Sequence, residues 1–169
     1  MKPAVITQAT ATDWSRIWSV WHEVIQRGDT YTIDPDSSSE DGRRIWLPGP
    51  PAQTWIATDG ADDPDEPVLG TYLLKPNQGG GGSHIANAGF MVSSAARGRG
   101  IGRTLGEHCL DQARAAGYLG MQFNAVVATN DRAIALWYSL GFQTVGTVPR
   151  AFRHPRAGLV DLLVMYRDL

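Results

Sequence analysis

A short segment in the second half of the chain has the residue types of an anion-binding turn. Glycine and arginine alternate there, at Arg97, Gly98, Arg99, Gly100, Gly102 and Arg103. Glycine lets main-chain amides approach a ligand closely, and the positive end of a helix dipole attracts a phosphate group. Arginine guanidinium groups add hydrogen-bond donors that suit a pyrophosphate. We therefore predict a pyrophosphate site here, in preference to a purely structural turn.

The segment lies where a strand is expected to give way to a helix. The preceding residues 84–92 have the composition of a strand. From Ile101 onward, apolar residues recur at every fourth position as far as Ala113, and Gly117 is a natural C-terminal stop. The helix would therefore begin at the glycines and place its positive end beside the ligand.

Two other glycine-rich phosphate sites do not fit this segment. A Rossmann dinucleotide site expects an acidic residue about 20 positions later to hold the ribose hydroxyls, and none lies between Asp111 and Asp131. No basic residue lies between Arg114 and Arg132 to bind a ribose phosphate. A P-loop requires Lys-Ser or Lys-Thr after the glycines, and neither dipeptide is present there. Both alternatives are therefore excluded.

The elements that must position the turn indicate an α/β protein of the α+β type. Seven stretches read as strands and four as helices, the second helix being a short one around EDGRRIWL. The acidic turn GADDPDE joins the second and third strands, and a tip with four glycines joins the third and fourth. Consecutive strands favour antiparallel pairing, whereas the strand-helix-strand unit at the glycines needs a parallel crossover. We predict one domain over residues 1–169, with a mixed, mostly antiparallel central sheet of about seven strands flanked by about four helices.

Composition excludes several function classes. The formal net charge of -2 gives no global positive field that would hold nucleic acid or an anionic membrane. The single cysteine, Cys109, cannot form an internal disulfide, and the first ten residues lack the apolar run of a signal peptide. No apolar stretch approaches the ~20 residues that span a bilayer. We expect a cytoplasmic protein with no metal, no nucleic acid and no membrane partner.

The residues of the turn also match a known motif. From Arg97 to Gly102 the chain fits the acetyl-CoA signature of the GNAT superfamily: Gln or Arg, two residues of any type, Gly, any residue, then Gly or Ala. In that family an Asn opens the next helix and Leu-Gly-Phe closes it, as do Asn130 and residues 140–142 here. The chain therefore resembles GNAT acetyltransferases over about residues 85–142.

The resemblance implies acetyl-CoA as the co-substrate and a place for each part of it. Main-chain amides from Gly98 to Arg103 would hold the pyrophosphate, and the strand at residues 90–92 would pair with the pantetheine arm. Asn130 would hydrogen-bond the arm, cap its helix, or do both. The cofactor-binding residues implied in this way are Phe90, Met91, Val92, Arg97, Gly98, Arg99, Gly100, Ile101, Gly102, Arg103, Asn130 and Trp137.

The catalytic groups are less regular than the cofactor motif. Many GNAT enzymes protonate the leaving thiolate with a Tyr five residues before the Phe of Leu-Gly-Phe, but this chain has Trp137 there. The next residue, Tyr138, points about 100° away around the helix. Cys109 lies on an apolar stripe where a thiol is inert packing, so we expect direct transfer in a ternary complex rather than a covalent intermediate. Asn87 could accept a hydrogen bond from the amine, and His84 is more typical of a strand end.

Two asparagines on adjacent central strands suggest the acceptor. The segments around Asn87 and Asn124 resemble the fungal azetidine-2-carboxylate acetyltransferases, which act on small cyclic imino acids. That resemblance implies Asn87 at the substrate nitrogen, and Asn124 with the amide of Ala125 at the carboxylate. The alternative is that both asparagines are buried and bridge strands structurally. Tyr31 and Trp46 are candidate lids over the acceptor.

Several alternatives remain open at this level. The last connection contains a basic stretch that comprises Arg150, Arg153, His154 and Arg156. It could be a solvated hairpin, a rim that attracts a substrate carboxylate, or a contact to the CoA 3'-phosphate. The acceptor could instead be an antibiotic, a polyamine or a protein N-terminus. A third hypothesis, from a different functional class, is that the protein is a non-catalytic sensor that binds acyl-CoA. The resemblance also suggests a homodimer.

Overall fold

The computed structural model describes residues 3–60, 63 and 65–169. Residues 61, 62 and 64, which belong to the predicted turn GADDPDE, lie outside that description. The described chain forms four helices: α1 Trp14–Gln26, α2 Ser39–Trp46, α3 Ile101–Ala115 and α4 Asp131–Ser139. Its strands are β1 Val5–Gln8, β2 Gln53–Thr58, β3 Gly70–Pro76, β4 Ile85–Val92, β5 Gly120–Val127, β6 Gln143–His154 and β7 Gly158–Asp168. Short 3₁₀ turns cover Ala11–Asp13, Gly80–Gly82 and Ser94–Ala96.

The strands form one sheet in the order β1-β2-β3-β4-β5-β7-β6. Every neighbouring pair is antiparallel except β4 and β5, which are parallel because α3 crosses over between them. The predicted fold class, a mixed and mostly antiparallel seven-stranded sheet with four helices, is confirmed.

Helices cover both faces of the sheet. On one face, α1 and α2 pack through a core that includes Trp14, Ile17, Trp21 and Trp46. On the other face, α3 and α4 pack through a second core that includes Leu105, Cys109, Trp137 and Leu140. In the sequence, residues 14–25 repeat tryptophan and isoleucine at helical spacing, which predicts a core-facing stripe, and Trp14 and Trp21 are indeed buried. Each fully buried large apolar side chain contributes about 1.5–3 kcal/mol.

The last hairpin is longer than the sequence pattern suggested. The residues QTVGTV, at positions 143–148, have the composition of a strand, but β6 continues beyond them to His154 by pairing with the start of β7, where Phe152 lies opposite Val160. The register shifts between Val148 and Phe152, and Arg150 adopts a left-handed φ of 55° within that bulge. The basic stretch is therefore mainly strand and bulge rather than a connecting loop.

A gap between the two parallel strands is the feature that positions the site. Strands β4 and β5 share only two described ladder pairs, Ile85 with Gly120 and Ala86 with Met121. Beyond these pairs β4 continues for six residues alongside β3, whereas β5 continues beside β7 with a bulge between Phe123 and Val126. The facing edges of β4 and β5 are therefore open where the two strands diverge.

Candidate active site

The turn between β4 and α3 presents main-chain amides at a helix start. Gly98 and Gly100 have φ angles of 76° and 78°, in the left-handed region that favours glycine, and no atom lies within 4 Å of a Cβ built at either position. Gly100 caps α3, whose first intrahelical bond runs from the Thr104 amide to the Gly100 carbonyl. The amides of residues 101–103 have no intrahelical acceptor and are available to an anion.

The three arginines of this turn face different partners. The Arg97 side chain lines a large cavity on the α3 and α4 side of the gap. The Arg99 guanidinium instead forms an ion pair with Asp59 after β2, and this hydrogen bond raises its pKa. Arg103 donates to the Ser139 hydroxyl at 2.7 Å and lies 3.4 Å from Glu107. The structure therefore brings only Arg97 of the three to the cavity.

The cavity beside the turn has a volume of about 680 Å³ and a cationic wall. Sequence reasoning missed Arg27 and Arg132 in this wall, whereas His154 and Arg156 belong to the predicted basic stretch. Arg27 sits at the end of α1, where it pairs with Glu23 at 3.2 Å. Because it is far in sequence from the glycine turn, only the tertiary fold brings it to this cavity. Arg132 lies two residues after Asn130, at the start of α4. Its position beside a predicted cofactor-binding residue is a local sequence signal by which it could have been predicted.

The open edge of β4 is set by its register with β3. The Asn77 amide donates to the Ile85 carbonyl and the Ser93 amide donates to the Leu69 carbonyl, so odd-numbered residues of β4 direct their main-chain groups at β3. Because this direction alternates along a strand, the main-chain groups of Phe90 and Val92 point into the gap, and those of Met91 do not. Met91 also lines the large cavity, but its main chain is turned towards β3.

A smaller cavity of about 240 Å³ lies at the other end of the gap. It contacts Thr30, Phe90, Asn130, Ala133 and Trp137, which also line the large cavity, so the two cavities meet at the divergence of β4 and β5. Asn130 both lines the two cavities and caps α4, because its side chain accepts from the Ala133 amide at 3.3 Å. The two predicted roles of this residue are therefore compatible.

Asn87 bridges the strands one residue past their last ladder pair. Its Nδ2 donates to the Gln122 carbonyl at 2.9 Å. A carbonyl oxygen can only accept, so the amide nitrogen must face it and Oδ1 remains as an acceptor. Asn87 is half-buried and lines the small cavity. The structural and functional readings of this residue therefore coexist in one geometry.

Asn124 does not fit the alternative in which both asparagines are buried and bridge strands structurally. It is exposed, although it does line the small cavity. Its Nδ2 donates to Asn77 Oδ1 at 2.7 Å, and its Oδ1 accepts from Gln122 Nε2 at 2.8 Å. It sits at the β5 bulge, where extra residues twist the strand and leave polar groups open to water. Ala125 lies in the same bulge and also lines the small cavity.

The two candidate lids behave differently. Tyr31 lines the small cavity, and its hydroxyl donates to the Phe90 carbonyl at 2.6 Å. Burial of this hydroxyl raises the pKa of Tyr31 well above its ordinary value. Trp46 is only 2% exposed and donates to the Thr71 hydroxyl at 3.0 Å. Trp46 is therefore a core residue and not a lid, because α2 buries its indole against the sheet.

Three further side chains are candidates for proton transfer or covalent catalysis: Trp137, Tyr138 and Cys109. Each of them either lies away from the gap or cannot release a proton. Trp137 packs against Phe90 and Phe123, with ring centroids 4.9 and 4.8 Å apart. Tyr138 is half-exposed and shares a hydrogen bond of 2.8 Å with Thr144 on the outside of α4. Cys109 is buried in the core, which raises the pKa of its thiol well above the ordinary value.

Among the described residues, no group of three or more His, Cys, Asp or Glu side chains could hold a metal ion. None of the helices in that part of the chain combines the length and the apolar composition needed to cross a membrane.

Comparisons with known proteins agree with this geometry. The acetyltransferase (GNAT) family matches residues 16–142. N-acetyltransferase aca1 of Schizosaccharomyces pombe is 43% identical over 98 residues, which are 57% of this chain and 47% of that protein. The chain therefore spans about half the length of this curated relative.

Solved structures cover the chain almost completely. A GCN5-related N-acetyltransferase from Kribbella flavida is 44% identical, with a TM-score of 0.90 over 98% of each chain. A phosphinothricin acetyltransferase from Sinorhizobium meliloti, solved in complex with AcCoA, is 23% identical and shares the fold, with a TM-score of 0.82 over 100% of this chain and 89% of its own.

Proposed function

The chain belongs to the GNAT acetyltransferase family, and on that premise we propose that it transfers an acetyl group from acetyl-CoA to the nitrogen of a small amino or imino acid. The single observation that carries the proposal is the meeting of two cavities at the open edge of β4. The larger cavity suits a long, anionic donor, and the smaller one suits a compact acceptor.

The larger cavity supports acetyl-CoA as the donor. Its floor is the amide-bearing start of α3, and four arginines and a histidine line its wall: Arg27, Arg97, Arg132, Arg156 and His154. Free amides and guanidinium groups together favour a diphosphate and a further phosphate. The main-chain groups of Phe90 and Val92 offer hydrogen bonds to the amides of the pantetheine arm, as a strand does to a peptide. A related fold solved with AcCoA agrees with this assignment.

The small cavity supports a neutral amine as the acceptor. Among the described residues that line it there is no Asp, Glu or His that could act as a base. An alkylamine of pKa ~10 is about 0.1% neutral at pH 7, which costs roughly 4 kcal/mol. Asn87 Oδ1 accepts from the N–H of the neutral amine and orients its lone pair at the thioester. The enzyme therefore takes up the amine already deprotonated.

The bulge of β5 supports a carboxylate beside that amine. The amide of Ala125 lies where β5 leaves its register with β7, and the exposed Asn124 amide adjoins it. Main-chain and side-chain amides are good carboxylate donors. Asn87 and Asn124 lie on neighbouring strands, so one small molecule can engage both. This arrangement, with the resemblance of the segments around Asn87 and Asn124 to the fungal azetidine-2-carboxylate acetyltransferases, supports that type of acceptor as the first to be tried.

Transfer in a ternary complex follows from these positions. The amine attacks the thioester carbonyl, an open main-chain N–H of β4 stabilises the oxyanion, and the thiolate leaves within the gap. The buried Cys109 takes no part, because its thiol lines neither cavity.

We also propose that residues 1–169 act as one domain, in the cytoplasm and as a homodimer. Light scattering on the purified protein measures the last of these.

The test is release of CoA from acetyl-CoA across a panel of acceptors. The panel contains proline analogues, linear amino acids, a polyamine, an aminoglycoside and a peptide with a free N-terminus. We expect the proline analogues to react fastest, and Asn87→Ala to lower their kcat/KM about 30-fold, which corresponds to one hydrogen bond of ~2 kcal/mol. Asn124→Ala should mainly raise KM, and Gln143→Ala on the exposed edge strand is the control.

The outcomes separate the competing functions. Faster reaction of the peptide, the polyamine or the aminoglycoside would reassign the acceptor class. Saturable acetyl-CoA binding without turnover of any amine would make the protein a sensor. Wild-type kcat/KM in both asparagine variants would remove these residues from the acceptor site.

A further inference from the structure

We propose that the hydroxyl of Tyr31 protonates the coenzyme A thiolate as it leaves, in place of a tyrosine at position 137 of α4, where this chain has Trp137. The proposal rests on the proposed function, because it presumes acetyl transfer in the gap. Tyr31 belongs to the segment between α1 and α2, and reaches the gap from the face of the sheet opposite to α4.

The position of the hydroxyl is fixed by β4. It donates to the Phe90 carbonyl at 2.6 Å, and that carbonyl points into the gap. Gly89 makes room for it, since a Cβ there would lie 3.3 Å from the Tyr31 hydroxyl and 3.2 Å from Trp46. The edge of the Trp46 ring supports the phenol, with centroids 6.1 Å apart. The phenol is therefore held at the strand edge along which the pantetheine arm must run.

The same hydroxyl lies close to the expected position of the amine. Asn87 and Gly89 share one face of β4 and are two residues apart, which is about 6.8 Å along a strand. Asn87 orients the nitrogen, and Tyr31 sits above Gly89. A thioester between these two side chains has its carbonyl carbon near Asn87 and its sulfur within reach of Tyr31.

No other titratable side chain lines the small cavity in the described part of the chain. Of the described residues that line the small cavity, Tyr31 alone has a side chain with an ordinary pKa near 10. The hydroxyls of Thr30 and Thr32 and the indole of Trp137 cannot release a proton at neutral pH. Tyr138, the tyrosine on α4, shares its hydrogen bond with Thr144 and lines neither cavity.

The protons balance over one turnover. The amine nitrogen bonds to the acetyl carbon, the C–S bond breaks, and the sulfur keeps its electron pair and takes the Tyr31 proton. The new amide nitrogen loses one proton, which restores the phenol directly or through one water. The products are the N-acetyl compound and CoA thiol, with Tyr31 unchanged.

The environment of Tyr31 is consistent with this role. Burial raises its pKa, so the phenol is protonated and able to donate at neutral pH. The departing thiolate is desolvated in the same gap, which raises its proton affinity as well. A transfer between two groups whose pKa values rise together remains feasible.

Tyr31→Phe is the first test, because it keeps the ring beside Trp46 and removes only the hydroxyl. We expect kcat with the best acceptor to fall 10²- to 10⁴-fold, the usual range for a general acid, with the Kd of acetyl-CoA unchanged within twofold by calorimetry. Tyr138→Phe is the matched control, since it also removes a hydrogen-bonded phenol, and it should stay within twofold of wild type.

Site-specific fluorotyrosines at position 31 distinguish proton donation from packing. They lower the phenol pKa in steps with almost no change in shape. A proton donor gives a kcat that changes steadily with phenol acidity and a solvent deuterium isotope effect on kcat that is lost in Tyr31→Phe. A merely structural tyrosine gives neither.

The possible failures are distinct. If Tyr31→Phe keeps kcat within threefold, or if the fluorotyrosine series is flat, Tyr31 is not the acid, while acetyl transfer itself still stands. If the wild-type protein acetylates no amine, it is the proposed function that fails.

Discussion

The two sides of the β4–β5 gap are built from different materials. The side that we propose for the cofactor, called the cofactor side, is a stretch of main chain: a left-handed turn, the first amides of α3 and the open edge of β4. The side that we propose for the acceptor, called the acceptor side, is made of side chains from distant parts of the chain, such as Tyr31, Asn87 and Asn124. A group that every family member must bind can be held by backbone geometry, whereas a particular acceptor requires particular side chains.

Two glycines show the same contrast. Gly100, on the cofactor side, is needed for its φ of 78° and has no atom within 4 Å of a built Cβ. Gly89, on the acceptor side, has no such φ but is crowded by Trp46 and Tyr31. One glycine allows a conformation and the other leaves space, so their substitution should damage different steps.

Among the glycine and arginine substitutions that compare the two sides, the largest effect is expected from Gly100→Val. The left-handed conformation costs a β-branched residue at least 1–2 kcal/mol, and the altered turn loses charge-assisted hydrogen bonds to the diphosphate. We expect the Kd of acetyl-CoA to rise about 100-fold by calorimetry. Gly81→Val, at an equally open glycine without positive φ, should change the Kd less than twofold. Equal effects of the two substitutions would contradict the assignment of the turn.

Gly89→Ala should have the next largest effect, and on the other side of the gap. The added Cβ lies within 3.4 Å of both aromatic side chains, so the Tyr31 hydroxyl must shift from the Phe90 carbonyl. We expect kcat to fall about tenfold with the Kd of acetyl-CoA unchanged. Gly146→Ala in β6 is the control, because its nearest neighbour is 3.9 Å away. Weakened acetyl-CoA binding in Gly89→Ala would mean that the two sides are not separable.

The arginines of the turn provide a smaller and sharper comparison. Arg97 lines the large cavity, whereas Arg99 is committed to Asp59. Arg97→Ala should raise the Kd of acetyl-CoA about five- to tenfold, which is typical of one charge-assisted hydrogen bond that is partly screened by water. Arg99→Ala should change it less than twofold. The reverse order would show that the ion pair with Asp59 opens when the cofactor binds.

The sequence predicted the cofactor side far better than the acceptor side. The glycine turn, the helix start at Ile101 and the cap at Asn130 are local features, so the motif fixes them almost by itself. Local sequence could not reveal that Arg99 turns to Asp59, since these residues are 40 positions apart. It also could not show that Tyr31 meets Phe90 or that Trp46 is core, because both follow from how α2 packs on the sheet.

The smallest effect is expected at a site away from the gap. His108 on α3 shares a hydrogen bond of 2.8 Å with the buried Tyr72 hydroxyl, and desolvation lowers its pKa. The unfolded chain therefore takes up a proton near pH 6.5 that the folded protein resists, and stability present above that pH is lost as the pH falls through the folded pKa.

We expect the Tm to fall modestly between pH 7 and pH 5, and His108→Gln to remove part of that fall without changing the Kd of acetyl-CoA. Thermal unfolding followed by circular dichroism measures the Tm of the wild type and of His108→Gln at each pH. An identical pH profile in His108→Gln would mean that other groups account for the loss.

A crystal structure of the protein with acetyl-CoA would show directly whether the cofactor lies in the gap. We expect the diphosphate on the amides that follow Gly100, the arm paired with the main chain of Phe90 and Val92, and the acetyl group at the mouth of the small cavity beside Asn87. A diphosphate bound elsewhere, or an arm that does not enter the gap between β4 and β5, would contradict it.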